Sequence, residues 1–324
     1  MMENLVEVSN LHKHFGDLVA VNGVSLTVRR GEVLGFLGPN GAGKSTTMKM
    51  ITGFLAPTSG DVRICGRSLA EDPLAAKARI GYLPEGAPAW GEMTPAGFLD
   101  FIADIRGLNR SLKEARIREV VGKIHLEGVL HQSIETLSKG FKRRVGLAQA
   151  ILHDPEILIM DEPTDGLDPN QKHEVRQLIR EMAPTKGIII STHILEEVDA
   201  VCTRAVIIAR GKLLFSGTPS ELAARSTYHQ AVTLSVPAAD AAGLVIKLKS
   251  MPGVTEVGTA DSGDSHLRLT VRSELGGGLF ARLQAEAQAG QWPVREMFVE
   301  GGRLDEVFRT ITTSAAPTAG GLRS

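Results

Sequence analysis

The sequence predicts an α/β protein built on a parallel sheet, with a helical insertion in its first domain and a smaller α+β domain behind it. Three observations predict this. Short uninterrupted apolar runs, ILIM at 157–160 and GIIIST at 187–192, alternate with amphipathic helices, as strands buried on both faces do. Residues 86–136 have another texture, helices with polar faces, set inside that alternation. A new group of strands and helices begins near residue 227, and 324 residues exceed what one core usually organises.

In chain order, LVEVSNLHKHF, LVAVNGVSLTVRR and EVLGFLG read as strands punctuated by Gly16–Asp17 and Arg30–Gly31, giving a β-rich N-terminal part. A glycine-rich turn leads into KSTTMKMITGFL, a helix. In the insertion, TPAGFLDFIADIRGL and SLKEARIREVVGKI are helical, the second opening on a capping box of Ser111 and Glu114. A further helix starts near Phe141, so the helical subdomain is placed at about 86–145. The strand at 157–160, the helix QKHEVRQLIREMA, the strand GIIIST and the helix ILEEVDAVC follow, then a hairpin AVIIARGKLLFSG and a short helix opened by Thr218 and Pro219. The first domain is thus 1–226 and the α+β domain 227–313. Residues 314–324 are small and polar and read as a disordered tail.

Composition excludes several classes. A formal net charge of -1 argues against binding nucleic acid through bulk charge. The two cysteines, Cys65 and Cys202, form no C-x-x-C pair, so neither a disulfide framework nor a cysteine zinc site is indicated. The pair His12 and His14 lacks further ligands. The N-terminus has no signal-peptide pattern and no apolar run reaches the ~18 residues of a membrane span. The chain is expected in the cytoplasm, reaching a membrane only through a partner.

Three motifs carry chemistry. GPNGAGKST at 38–46 lies between a strand and a helix, where backbone N–H groups and the helix N-terminus cradle phosphates. Lys44 reaches the β- and γ-phosphates, Ser45 holds Mg²⁺ and Thr46 contacts the α-phosphate. In ILIMDEP, Asp161 and Glu162 stand at a strand's C-terminal end; Asp161 holds Mg²⁺ through water, and Glu162 acts as general base on the attacking water. His193, just past GIIIST, is placed to contact the γ-phosphate. A fourth segment, LSKGFKRR at 137–144, offers Ser138 and Gly140 at a helix N-terminus as a second anion site. Lys142, Arg143 and Arg144 are expected to dress the first turn of that helix.

With these motifs the sequence resembles the ATP-binding-cassette (ABC) ATPases over residues 5–225. GPNGAGKST is similar to their Walker A, LSKGF to their signature loop, ILIMDEP to their Walker B, STH to their switch-histidine loop, and DGLD at 165–168 to their D-loop. The resemblance implies a P-loop NTPase nucleotide-binding domain and a head-to-tail homodimer. In that dimer two ATP molecules are sandwiched between the Walker A of one copy and the signature of the other. It implies nucleotide contacts from Phe15, Gly38, Asn40, Gly41, Gly43, Lys44, Ser45, Thr46, Ser138, Gly140 and Asp168, with Phe15 stacking on adenine. Catalytic roles fall to Glu162, His193 and Lys44, and metal contacts to Ser45, Glu85 and Asp161. Two positions depart from the pattern: Phe141 replaces the signature glutamine, and Glu85 replaces the glutamine of the loop reading GYLPE.

GYLPE, LSKGFKRRVGLAQAIL, EPTDGLDPNQ and the closing LDEVF resemble ATPases of two-component exporters, a branch that includes gliding-motility, multidrug, sodium and copper-associated systems. The implied function is ATP hydrolysis driving a separate membrane permease, peripheral on the cytoplasmic face of the cell membrane. The alternative is a soluble ABC ATPase acting on ribosomes or DNA. Such proteins carry paired cassettes, coiled coils or zinc modules, which this chain lacks, and no nucleic-acid partner is expected. A non-hydrolysing regulatory module would lack Lys44, Glu162 or His193. A nicotinamide-binding loop has other spacing.

Overall fold

The computed structural model describes residues 3–86, 90–261, 265–274 and 278–314. The chain divides into two compact units, one of residues up to Pro219 together with those from Thr312 on, and the other spanning Ser220–Ile311.

In the first unit, β1 (Asn4–Phe15) and β2 (Leu18–Arg29) pair antiparallel, and β3 (Val33–Leu37) leads through residues 38–43 to α1 (Lys44–Ile51). β4 (Ser59–Ile64) and β5 (Arg67–Ser68) complete a four-stranded sheet, order β2-β1-β4-β5. Then come α2 (Pro73–Ala78) and β6 (Ile80–Leu83), neither of which the sequence pattern announces. The helical insertion supplies α3 (Pro95–Ile105), α4 (Arg110–Lys123) and α5 (Lys139–Ile151). β7 (Ile157–Asp161), α6 (Pro169–Met182), β8 (Gly187–Thr192), α7 (Leu195–Val201), β9 (Arg204–Ala209) and β10 (Lys212–Gly217) finish the unit.

The central sheet runs β10-β9-β3-β8-β7-β6, parallel from β9 to β6, with β10 antiparallel to β9. β3, β7 and β8 are buried along their whole length, which explains their unbroken apolar sequence. On one face Leu34, Phe36, Ile157, Ile159 and Ile189 cluster with Met48 and Ile51 of α1 and with Leu5, Leu11 and Val24 of the other sheet. Each such side chain contributes roughly 1.5–3 kcal/mol relative to exposure. On the other face Gly35 lets α7 close in, since a Cβ there would lie 2.8 Å from the Cys202 sulfur. No helix among the described residues is long and apolar enough to cross a membrane.

Two helix starts differ from expectation. The cap of α4 is Asn109, whose side chain accepts from Leu112 N–H at 3.0 Å; Ser111 instead donates to Asn109. α5 begins at Lys139 rather than near Phe141, because the Ser138 hydroxyl accepts from Phe141 N–H and caps it.

The second unit opens with α8 (Pro219–Ala223), then β11 (Val232–Pro237), α9 (Ala238–Ser250), β12 (Val254–Asp261), β13 (His266–Ser273), α10 (Leu279–Ala289), β14 (Glu296–Val299) and α11 (Leu304–Ser314). The strand order β12-β13-β11-β14 and the β-α-β-β-α-β sequence are ferredoxin-like. Val232, Leu234, Val236, Leu269 and Val271 pack with Leu244, Leu248, Leu279 and Leu283 of the two helices in a core of its own. The boundary falls earlier than residue 227. Ser226 and Thr227 hydrogen-bond Glu306 of α11, and Gly302 abuts Ala223, so the 220–226 segment belongs to this unit. The tail expected at 314–324 lies, beyond Ser314, outside the described residues.

Candidate functional site

Topology places the candidate residues. β3, β8, β7 and β6 are neighbours in that order, and in a parallel sheet their C-terminal ends share one edge. β3 delivers the glycine loop, β8 delivers His193, β7 delivers Asp161 and Glu162, and β6 delivers Glu85. The ladder sets the levels: Leu37 pairs with Thr192, Asp161 with Ser191, and Leu83 with Met160.

The glycine loop is held from both sides. A Cβ on Gly38 would lie 2.4 Å from the Ile208 carbonyl oxygen. Gly43 has φ +104 and would meet the Ala20 carbonyl at 2.6 Å. Lys44, only 7% exposed, donates to the carbonyls of Gly38 at 2.7 Å and Pro39 at 3.3 Å. Its ammonium is thereby centred over the loop. Ser45 and Thr46 are half-buried at the start of α1, and Asn40 and Gly41 are exposed. Phe15, at the end of β1, is exposed with Lys13 over its ring at 5.1 Å.

Asp161 is buried at 2% exposure, while the Glu162 side chain is 14% exposed. Glu162 adopts φ +50, the left-handed region that a non-glycine residue enters at a cost of roughly 1–2 kcal/mol. Its N–H donates to Ser191 at 2.9 Å, which ties the turn to β8. His193 Nδ1 lies 3.0 Å from each Glu162 carboxylate oxygen. Behind the histidine, Thr192 donates to the buried Glu197 carboxylate at 3.0 Å and accepts from Ile194 N–H at 3.0 Å. Burial pushes the Glu197 carboxyl up, with Thr192 opposing.

A cleft beside Glu162 is lined by Glu85, Gly86, Lys139, Lys142, Arg143 and Asp165. The structure corrects the reading of the basic run here. Arg143 is buried at 7% exposure, and its guanidinium donates to the carbonyls of Pro84, Gly86, Asp161, Glu162 and Pro163. Arg144 pairs with Glu174 at 2.5 Å and lies over the Phe141 ring. Lys139 pairs with Asp165 at 3.1 Å and holds that carboxyl below its usual range. These cations answer partners in their own chain. Helical spacing was the available signal: Gly140, Arg143, Leu147 and Ile151 are buried together on one stripe of α5.

No hydrogen bond joins Ser138 or Gly140 to the glycine loop among the described residues. Ser138 is exposed at the α5 N-terminus, and Gly140 packs on Gln171. Asp168 caps α6 in a reciprocal capping box with Gln171, so its carboxylate already serves a backbone N–H.

For a metal ion, no group of three or more His, Cys, Asp or Glu forms a cage among the described residues. The donors on offer are the Ser45 hydroxyl and the carboxylates of Asp161 and Glu85. Hard oxygens in this number suit Mg²⁺ when phosphate oxygens complete its shell. Ser191, opposite Asp161 in the ladder, is fully buried with no partner for its hydroxyl, a further polar group on that side.

Comparison with known proteins agrees in kind. Residues 21–165 match the profile described as ABC transporter. The linearmycin resistance ATP-binding protein LnrL of Bacillus subtilis (strain 168) is 31% identical over 309 residues, 95% of this chain and 98% of its own length. The Nod factor export ATP-binding protein I of Paraburkholderia xenovorans (strain LB400) is 33% identical, covering 85% of this chain and 92% of that one. The probable multidrug ABC transporter ATP-binding protein YbhF of Escherichia coli (strain K12) is 38% identical over 226 residues, 69% of this chain, which spans only 39% of that relative's length. Among solved structures, an ATP-binding subunit of an ABC transporter is 33% identical, with TM-score 0.64, over 67% of this chain and 91% of that one. The cbiO1 protein of Clostridium perfringens, part of the ABC transporter complex cbiONQ, is 28% identical with TM-score 0.62, over 69% of this chain and 92% of that one.

Proposed function

This chain belongs to the ABC transporter family of ATP-binding proteins, and we propose that it is an ATP-hydrolysing subunit that drives a separate membrane permease, acting as an exporter motor. The observation that carries this reading is the pairing of Glu162 with His193 on the sheet edge that also holds Lys44. The reaction is ATP plus water to ADP and phosphate. Lys44 and the N–H groups of the glycine loop bind the β- and γ-phosphates. Glu162 orients the attacking water and takes its proton, and His193 fixes the Glu162 carboxylate and reaches the γ-phosphate. Ser45, Asp161 and Glu85 would hold Mg²⁺, which when bound neutralises phosphate charge. Phe15 would stack on adenine.

Ser138 is exposed at the N-terminus of α5, with Gly140 in the first turn of that helix, which supports their use on a second copy's nucleotide in a head-to-tail homodimer. For the permease, the exposed aromatic side chains Trp90, Phe101 and Phe54 are the candidates. Trp90 packs on Phe98 and Phe101 with ring centroids 5.6 Å apart, and Phe54 is 74% exposed beside Tyr82. Exposed apolar groups gathered in this way mark a partner surface. The chain would then work at the cytoplasmic face of the membrane. Light scattering of Glu162→Gln with ATP and Mg²⁺ tests the sandwich: dimers that revert to monomers without ATP support it, and monomers throughout refute it.

A further inference from the structure

We propose that Arg143 is a positioning residue: it locks the Glu85 loop to the Glu162 turn, so that the two move as one unit. The inference rests on the ATPase reading above for its kinetic consequence, but its geometry is independent of it. A guanidinium has five N–H donors in a planar fork. Here Nη1 serves Pro84 at 2.9 Å and Gly86 at 3.3 Å, Nη2 serves Asp161 and Glu162, and Nε serves Pro163 at 3.3 Å. Every donor is used, and every acceptor is a main-chain carbonyl, either in the Glu85 loop or in the stretch from the last residue of β7 into the Glu162 turn.

The arrangement explains the strain at Glu162. Carbonyls of 161, 162 and 163 converge on one cation, and the middle residue of the three is left-handed at φ +50. A strained residue persists where its surroundings hold it, and the guanidinium is what the three carbonyls point at. The two loops are otherwise joined by the β6–β7 ladder, whose last pair is Leu83 with Met160, short of both loops. Arg143 extends the connection past the end of that ladder. Its charge also stands among Asp161, Asp165, Glu162 and Glu85, none of which it contacts through a side chain. A carboxylate at position 85 adds charge to that group, and Arg143 offsets it.

Lysine is the informative replacement, since it keeps the charge and loses the fork. Arg143→Lys is expected to lower kcat about 100-fold, the scale of a small misplacement of reacting groups. Affinity for a non-hydrolysable ATP analogue should stay within about threefold, because Lys44 and its loop are untouched. In the same background, Glu85→Gln should lose whatever effect it has on kcat in the unsubstituted protein, because the two loops are uncoupled. Retained kcat, or additive effects of the two substitutions, would overturn the proposal. A measurement without substitution guards against misfolding. In native-state hydrogen exchange, peptides covering 80–86 and 161–168 should merge into one opening reaction as denaturant rises; independent opening overturns the proposal. If the unsubstituted protein released no phosphate, the ATPase reading would fail instead, and exchange would still decide on Arg143.

Discussion

Nδ1 of His193 lies 3.0 Å from both carboxylate oxygens of Glu162. The two side chains come from adjacent strand ends, and the Glu162 N–H is itself bonded to Ser191 of the histidine's strand. His193→Ala removes the group that fixes the carboxylate. Phosphate release is expected to fall about 100-fold or more with ATP affinity little changed. Equal losses in affinity and turnover would place His193 in binding instead.

The glycine loop gives a steric contrast. At Gly38 an added Cβ meets the Ile208 carbonyl at 2.4 Å, so backbone must move. At Gly41 the Cβ meets nothing within 4 Å, and only the φ of +76 resists it. Gly38→Ala should cost about 2–3 kcal/mol by urea unfolding, and Gly41→Ala about 1–2 kcal/mol. A reversed order would mean that space does not set the loop's tolerance.

Stability should fall in mild acid through His153. Burial, with the Arg106 charge next, pushes its imidazole down from 6.5 to about 4, while Nε2–H donates to the Ile80 carbonyl at 3.1 Å. Between those values the unfolded chain takes up a proton that the native protein refuses. Stability is therefore complete above pH 6.5 and declines towards pH 4, by at most about 3 kcal/mol. His153→Gln keeps a donor for Ile80 and removes the titration. Its urea midpoint should change less with pH over that window than that of the unsubstituted chain; an unchanged slope would assign the effect elsewhere.

Local signals in the sequence were enough for the sheet edge. Apolar runs marked β3, β7 and β8, and each leads directly into candidate site residues. What stayed hidden depends on distant partners. β6 and β14 are short strands at sheet edges, with too few residues to show a period. Asn109 caps α4 two residues before the Ser111 that matched a capping pattern, because either side chain can serve and only the chain's path decides. In the sequence, Lys142, Arg143 and Arg144 read as dressing the first turn of a helix. Arg143 instead answers carbonyls up to 59 residues away, which no local pattern reports.

The central claim is that Glu162 cleaves ATP bound over Lys44. The most direct measurement is single-turnover phosphate release beside ATP binding, for the unsubstituted chain and Glu162→Gln, with Mg²⁺ present. The account predicts equal binding and a loss of at least about 100-fold in release for the glutamine variant. Undiminished release by Glu162→Gln would contradict it.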